Sequence, residues 1–333
     1  MHLKRMIYVA AAVMCGCAHA SAEPPKFRVG WVVPVANVAS ILFEKPGVAV
    51  HVGKTYEYEG LRFASTTTMV TALATGDLDI GTLGNTAISI SIANAGLDDL
   101  RIIADELRDG VEGYYSDEYM VRDDSPIKTV EDLKGKIVGV NSQGGSMDLA
   151  RFVVLRKHHL DPSRDVTFVE ARLANMKAML SDRKIDLAEA TLPFSYDPGL
   201  RSIARPLFKQ KDADGPTDML VWGTRAPIIA KNRAALVDLM EDLVRTVRYL
   251  TDPANHAEVV ELAAKFTKQP ASNFADWLFT KKDFYRDPNL MPDVASLQRS
   301  FDLQADLGYV KQRVDANAHT DLSMLKEASA RLK

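Results

Sequence analysis

Two stretches of this chain repeat one another: Met69 to Gly81, MVTALATGDLDIG, and Met176 to Ala188, MKAMLSDRKIDLA. Aligned without a gap, they match Met69 with Met176, Leu73 with Leu180, Leu78 with Ile185, Asp79 with Asp186 and Ile80 with Leu187. In each copy the apolar residues start at helical spacing, pass through a polar turn (Thr75-Gly76-Asp77 and Asp182-Arg183-Lys184) and end as a short apolar strand. A helix-turn-strand unit written twice predicts two lobes of similar construction. A cleft between such lobes is a natural place to bind something small.

The N-terminus carries Lys4 and Arg5, an apolar run from Met6 to Met14, and small residues ending at Ala20-Ser21-Ala22. This is the pattern of a secretory signal peptide cleaved after Ala22 or Ala20, with a run too short to span a bilayer. Cys17 raises the option of a lipoprotein, but Met14-Cys15-Gly16 before it lacks the aliphatic residue such a site prefers. Both cysteines of the chain fall inside this leader. The mature protein therefore holds neither a disulfide nor a thiol nucleophile nor a cysteine-ligated zinc, and its stability must come from an ordinary apolar core. With 333 residues, 47 % of them hydrophobic, the chain is long enough for two domains. Its 41 basic and 44 acidic residues give a net charge of −3, which removal of Lys4 and Arg5 makes more negative. A mildly acidic surface argues against nucleic acid as a partner.

Along the chain, Phe27 to Val33 reads as a buried strand, a short helix passes through Ile41 to Phe43, and Tyr56 to Ala64 alternates as a second strand. The first repeat follows, then a helix from Gly84 to about Ala95 and a strand from Arg101 to Asp105. The pattern starts afresh after the Asp123 to Pro126 loop: strand Lys136 to Val140, a helix to about His158, strand Val166 to Val169, and the second repeat. From Pro227 onward it is helical, with apolar faces around Leu236 to Leu243, Val259 to Phe266, Trp277 to Phe284 and Val294 to Leu307. Strands alternating with helices predict an open, mostly parallel α/β sheet. The second lobe is inserted into the first, so two strands, near Tyr119 and near Val221, are expected to cross between the lobes as a hinge.

In such sheets ligands bind beyond the carboxyl ends of the strands. Four loops there are rich in small hydrogen-bonding residues: Pro34 to Asn37, Ser65-Thr66-Thr67-Thr68, Gly84-Asn85-Thr86, and Asn141-Ser142-Gln143-Gly144-Gly145-Ser146. Free N–H groups at these helix starts favour an anionic group on the ligand, although any one such cluster also serves as a plain cap. Arg172 stands where it would face an acidic ligand, Thr191 follows the second repeat, and Trp222 at the presumed crossing offers a stacking surface. Gly144-Gly145 lacks the Gly-Lys-Ser/Thr of a P-loop. His158-His159 are adjacent and diverge on a helix, so no metal is expected there. No catalytic residue, metal site or cofactor is predicted.

The segments Asp124-Ser-Pro-Ile-Lys-Thr-Val-Glu-Asp-Leu-Lys-Gly-Lys136 and Ala72-Leu-Ala-Thr-Gly-Asp-Leu-Asp-Ile-Gly81 resemble the periplasmic substrate-binding proteins of nitrate, sulfonate and taurine ABC importers, within the wider group that includes thiamine-pyrimidine synthesis proteins. The resemblance covers about Phe27 to Leu332. It implies a type II periplasmic binding protein: two α/β lobes, two hinge strands, a C-terminal helical segment, and a ligand gripped between the lobes. The division it implies is a signal peptide at 1–22, lobe 1 at 23–117, lobe 2 at 118–219, and the rest of lobe 1 with the C-terminal helices at 220–333. It further implies a periplasmic monomer whose partners are a small solute and an inner-membrane ABC permease. Two departures matter: the cysteine-rich motif of the eukaryotic pyrimidine synthases is missing, and Ala190 to Phe194 lacks the Trp-Asp-Pro often found in sulfonate binders. An exported enzyme on the same fold, with groups such as Asp105 and Glu106 in the cleft, and a sensory subunit of a signalling complex are the competing readings.

Overall fold

The computed structural model describes residues 23–333, and the expected signal peptide at 1–22, with both cysteines, lies outside them. The described chain builds two five-stranded sheets. The first is assembled from β1 (Lys26–Trp31), β2 (Glu57–Arg62), β3 (Ile80–Gly84) and β4 (Leu100–Asp109), with helices α1 (Thr66–Thr75) and α2 (Asn85–Ala95) between them. The second contains β5 (Glu118–Arg122), β6 (Ile137–Val140), β7 (Thr167–Glu170), β8 (Leu187–Ala190) and β9 (Ala204–Lys209), with α3 (Ser146–Lys157), α4 (Leu173–Ser181) and the short α5 (Pro198–Arg201). A single turn, α6 (Lys211–Asp214), precedes β10 (Thr217–Arg225), which returns to the first sheet. Helices α7 (Ala226–Thr251), α8 (His256–Thr267), α9 (Val294–Asp306) and α10 (Ser323–Arg331) complete the chain.

The strand orders are β2-β1-β3-β10-β4 and β7-β6-β8-β5-β9, so the sheets correspond strand for strand. In each, three parallel strands are followed by an antiparallel one. The two-lobed α/β architecture with C-terminal helices is the one the sequence predicts.

The repeated unit shows how this symmetry is built. Met69, Leu73, Leu78 and Ile80 are buried, and so are their counterparts Met176, Leu180, Ile185 and Leu187. The two aspartates act alike. The Asp79 N–H donates to Arg28 O at 3.0 Å while its carboxylate accepts the Arg28 N–H at 2.9 Å; the Asp186 N–H donates to Ile137 O at 2.7 Å while its carboxylate accepts the Ile137 N–H at 2.9 Å. Each thus ties the start of its own strand to the neighbouring strand.

Several elements differ from the sequence expectation. The crossings lie just before the strands that hold Tyr119 and Val221, which themselves sit within the sheets: Tyr119 pairs with Glu189 and Phe208 in the second, and Val221 with Leu83 and Asp105 in the first. The chain passes between sheets at 110–117 and 210–216. The segment from Trp277 to Phe284 is a series of turns rather than a helix, with Phe279 at φ 52° and the Asp283 carboxylate accepting its N–H at 2.8 Å. The expected helix at 41–43 shrinks to one 3-10 turn, Val38–Ser40. Strand β9, absent from the sequence reading, contains Pro206 and lies at a sheet edge, where a missing N–H is tolerated.

One further connection joins the lobes. Leu303 and Leu307 at the end of α9, with Tyr309 beyond it, pack against the core of the second sheet, while Leu297 and Phe301 of the same helix pack in the first.

Candidate ligand-binding cleft

A cavity of about 90 Å³, open to solvent, lies where the two sheets meet. From the first lobe come Val32 and Val33 beyond β1, Ala36 and Asn37, Thr66 of α1, Leu107 of β4, and Met219 and Leu220 of β10. The second lobe supplies Asn141 and Ser142 after β6, the first turn of α3, Leu173 of α4, and Glu189 and Thr191 around the end of β8. Asp117 joins from the first crossing and Phe284 from the turns before α9. The cavity thus sits beyond the carboxyl ends of β1, β6 and β8, the position an open sheet reserves for ligands.

The lobes touch around it. Thr67 Oγ1 and Ser142 Oγ are 2.8 Å apart, and Ser146 Oγ donates to Asn85 Oδ1 at 2.8 Å. Gly84 makes this approach feasible, because a Cβ there would lie 2.9 Å from Ser146 Oγ. Val33, Ala36 and Leu173 form a small apolar cluster across the cleft.

Of the residues predicted from sequence, Asn37, Thr66, Asn141, Ser146 and Thr191 line the cavity. Ser65 caps α1, its hydroxyl accepting the Thr68 N–H, while Thr67, Gly84 and Asn85 are occupied in lobe contacts. Thr86 is buried and donates to Asn85 Oδ1 at 3.0 Å. Gln143 donates its backbone N–H to Glu170 at 3.0 Å, and Gly144, at φ 75°, donates its own to Asp148 at 2.9 Å. Both belong to the loop beside the cavity rather than to its lining, and so does Pro34, whose carbonyl accepts the Ala36 N–H. Arg172 is displaced to a neighbouring opening that it shares with Arg62, Asn141 and Phe194.

Trp222 requires a correction. It is fully buried in the core of the first lobe and donates its Nε1–H to Glu106 at 2.5 Å, so it offers no face to the cleft. Asp105 and Glu106 also stand away from the cavity. Asp105 lies 3.3 Å from Arg108, which also pairs with Asp218 at 2.6 Å. Glu106 accepts the Val38 N–H at 2.6 Å and is pushed up to about 7 by burial.

The sequence reading missed the carboxylates. Asp117, Asp148 and Glu189 line the cavity, and no Lys, Arg or His is among its lining residues. Asp148 is compensated by a buried ion pair with Arg151. Glu189 accepts the Asn141 N–H at 2.6 Å through one oxygen only. Neither oxygen of Asp117 receives a hydrogen bond of good geometry, although the Thr191 hydroxyl lies close enough to lower its pKa. Burial, then Asp109 and Glu189 nearby, raise the Asp117 carboxyl well above the usual range; burial pushes Glu189 up to about 8. A signal was present in the sequence: Glu189 interrupts the buried run Leu187-Ala188-Glu189-Ala190, where a charge needs a reason.

Comparison with known proteins identifies the architecture. The chain superposes on the periplasmic aliphatic sulphonate binding protein SsuA of Escherichia coli with TM-score 0.69 at 20 % identity, covering 91 % of this chain and 99 % of that one. On the nitrate-binding protein NrtA of Synechocystis PCC 6803 the TM-score is 0.73 at 15 % identity, covering 93 % and 90 %. The desulfurization enzyme DszB gives 0.67 at 16 % identity, covering 93 % and 100 %. These identities establish a shared fold, which binding proteins and an enzyme both use. No curated protein sequence matches the chain significantly. The model of the NMT1-like family matches residues 20–264, about three quarters of the length, and the chain belongs to that family.

Proposed function

We propose that this protein is an exported solute receptor that holds one small molecule between its lobes and delivers it to the permease of an ABC importer. The observation that carries this reading is the cavity itself, whose wall is drawn from both lobes and whose rim is bridged by Thr67–Ser142 and Ser146–Asn85. Such a site exchanges its occupant by rotation at the crossings 110–117 and 210–216, so occupancy and closure are linked. SsuA and NrtA, which share the fold, are periplasmic binding proteins, and the N-terminal Lys4 to Ala22 pattern supports export of this one. The mixture of aliphatic side chains, Phe284 and carboxylates suits a small aromatic or heterocyclic solute.

The test is the melting temperature of the mature protein against a panel of sulfonates, nitrate, aromatic acids, amines and heterocycles, followed by small-angle scattering with any solute that stabilises it. Stabilisation accompanied by a decrease in radius of gyration supports the receptor. Chemical turnover of that solute, lost in Glu189→Gln, would replace it with an enzyme.

A further inference from the structure

The empty valences of the cleft identify the charge of its occupant. Asp117 is wholly buried and neither oxygen receives a hydrogen bond of good geometry, with the Thr191 hydroxyl beside it; its backbone N–H is spent on Asp109 Oδ2 at 2.7 Å. Glu189 is 1 % exposed and one of its oxygens is equally free. Buried carboxylates are ordinarily saturated with donors, because leaving one bare costs about as much as the hydrogen bonds it forgoes. Among the described residues no cation lines the cavity; Arg62 and Arg172 stand at the neighbouring opening, and Arg151, whose Nε and Nη1 have no hydrogen-bond partner, lies behind Glu189. Arg151 is paired with Asp148 and stacked 3.8 Å over the Phe168 ring, while Arg201 and Lys209 reach Glu118 at 2.5 and 3.4 Å. Much of the remaining wall is apolar, with Val33, Leu107, Met219 and Phe284 among its residues.

We propose that the cleft takes a small organic cation, an amidinium, guanidinium or primary ammonium on an apolar frame, whose N–H groups fill the free oxygens of Asp117 and Glu189. An anion would face the uncompensated carboxyls of Asp117 and Glu189 and no lining cation. The inference rests on the receptor reading above and specifies its ligand.

The protonation of the empty site gives the proposal a sign. Asp117 faces Asp109 from β4, Glu118 from β5 and Glu189 from β8; Glu189 faces Asp148 and Arg151 from α3 and Glu170 from β7; Asp109 in turn faces Lys211 and Asp214. Burial, reinforced by the surrounding acids, favours protonated carboxyls in the empty cleft near neutral pH, with Glu189 at about 8 and Asp109 at about 7. A bound cation expels those protons, so its affinity rises as pH increases through that range. An anion held by protonated carboxyls would do the reverse.

The probes are benzamidine, phenethylamine and phenylguanidine, set against benzoate and benzenesulfonate, titrated calorimetrically into the mature protein at pH 6 and pH 9 with full-panel melting curves alongside. The expected result is binding of at least one cation, tighter at the higher pH with proton release, and weaker by about thirtyfold or more in Asp117→Asn and in Glu189→Gln. At pH 9 the empty variants should melt no lower than wild type, since each then loses an unsatisfied charge; a purely structural role would lower both. Should Asp117→Asn fail to fold, Glu189→Gln carries the test alone. Failure of all three cations to bind, or binding that weakens with pH, overturns the inference. Stabilisation by an anion or a neutral solute then leaves the receptor reading standing, whereas no stabilisation by any panel member ends both.

Discussion

In the first lobe, Gly30 of β1 leaves room for the repeat that packs over it: a Cβ there would fall 2.7 Å from Met69 Sδ and 2.8 Å from a Leu78 methyl. Gly139 of β6 does the same in the second lobe, 2.6 Å from an Ile185 methyl and 3.0 Å from Met176 Sδ. Both glycines hold the same register against the repeat strand, Gly30 opposite Gly81 and Gly139 opposite Ala188. One position further along, the lobes part. Thr82 is buried and donates its hydroxyl to Gly30 O at 3.2 Å, whereas its counterpart Glu189 keeps an unpartnered oxygen beside the cavity. The comparison teaches that the repeat is scaffold in both copies, and that function enters where one copy abandons a satisfied side chain for an unsatisfied one.

The largest effects should come from filling the glycine positions. Gly30→Val and Gly139→Val each force a side chain into occupied space and should cost about 3 kcal/mol in chemical denaturation. If the packing is equivalent, Met69→Ala should relieve the first and Met176→Ala the second by similar amounts in double-mutant cycles; relief in one lobe only would break the symmetry.

Next are the strand ties. Asp79→Ala should cost about 2 kcal/mol and Asp186→Ala about 1 kcal/mol, because Asp79 also accepts from the partly exposed Arg28 guanidinium while Asp186 bonds the backbone alone. Equal losses would show that the guanidinium contributes nothing.

The edge residues should behave oppositely. Glu189, with its pKa raised from 4.5 to about 8, is stable protonated in the fold: its contribution is fully present below about 4.5 and is lost as pH rises to 8. The melting temperature of the empty protein should therefore fall over that interval, and Glu189→Thr, which copies Thr82, should flatten the fall. A steeper decline in the variant would contradict the comparison. Smallest is the rim: Thr67→Val removes the hydroxyl contacts with Ser142 and with Ser65, should cost about 1 kcal/mol, and should enlarge the radius of gyration of the empty protein slightly.

Much of the fold was legible because the repeat encodes it locally: buried apolar spacing, a turn, and an aspartate that ties each strand. The inserted second lobe followed from the pattern restarting after Pro126. What escaped was set by tertiary context. Nothing local shows that Trp277 to Phe284 winds into turns around Asp283, or that Trp222 faces Glu106 in the core rather than the cleft. The hydroxyl-rich loops border the cavity, yet Thr67 and Asn85 spend themselves on lobe contacts. Asp117 and Glu189 were passed over because an acid beside a strand reads as solvated; only burial of both around one cavity gives them meaning.

The most direct measurement is a crystal structure of the mature protein with its tightest-binding solute. The lobes should be closed on one molecule in the cavity, with its nitrogen atoms within about 3 Å of Asp117 and Glu189. A solute seated outside that cavity, or one presenting an anionic group at the Arg172 opening with both carboxylates left bare, would contradict that placement.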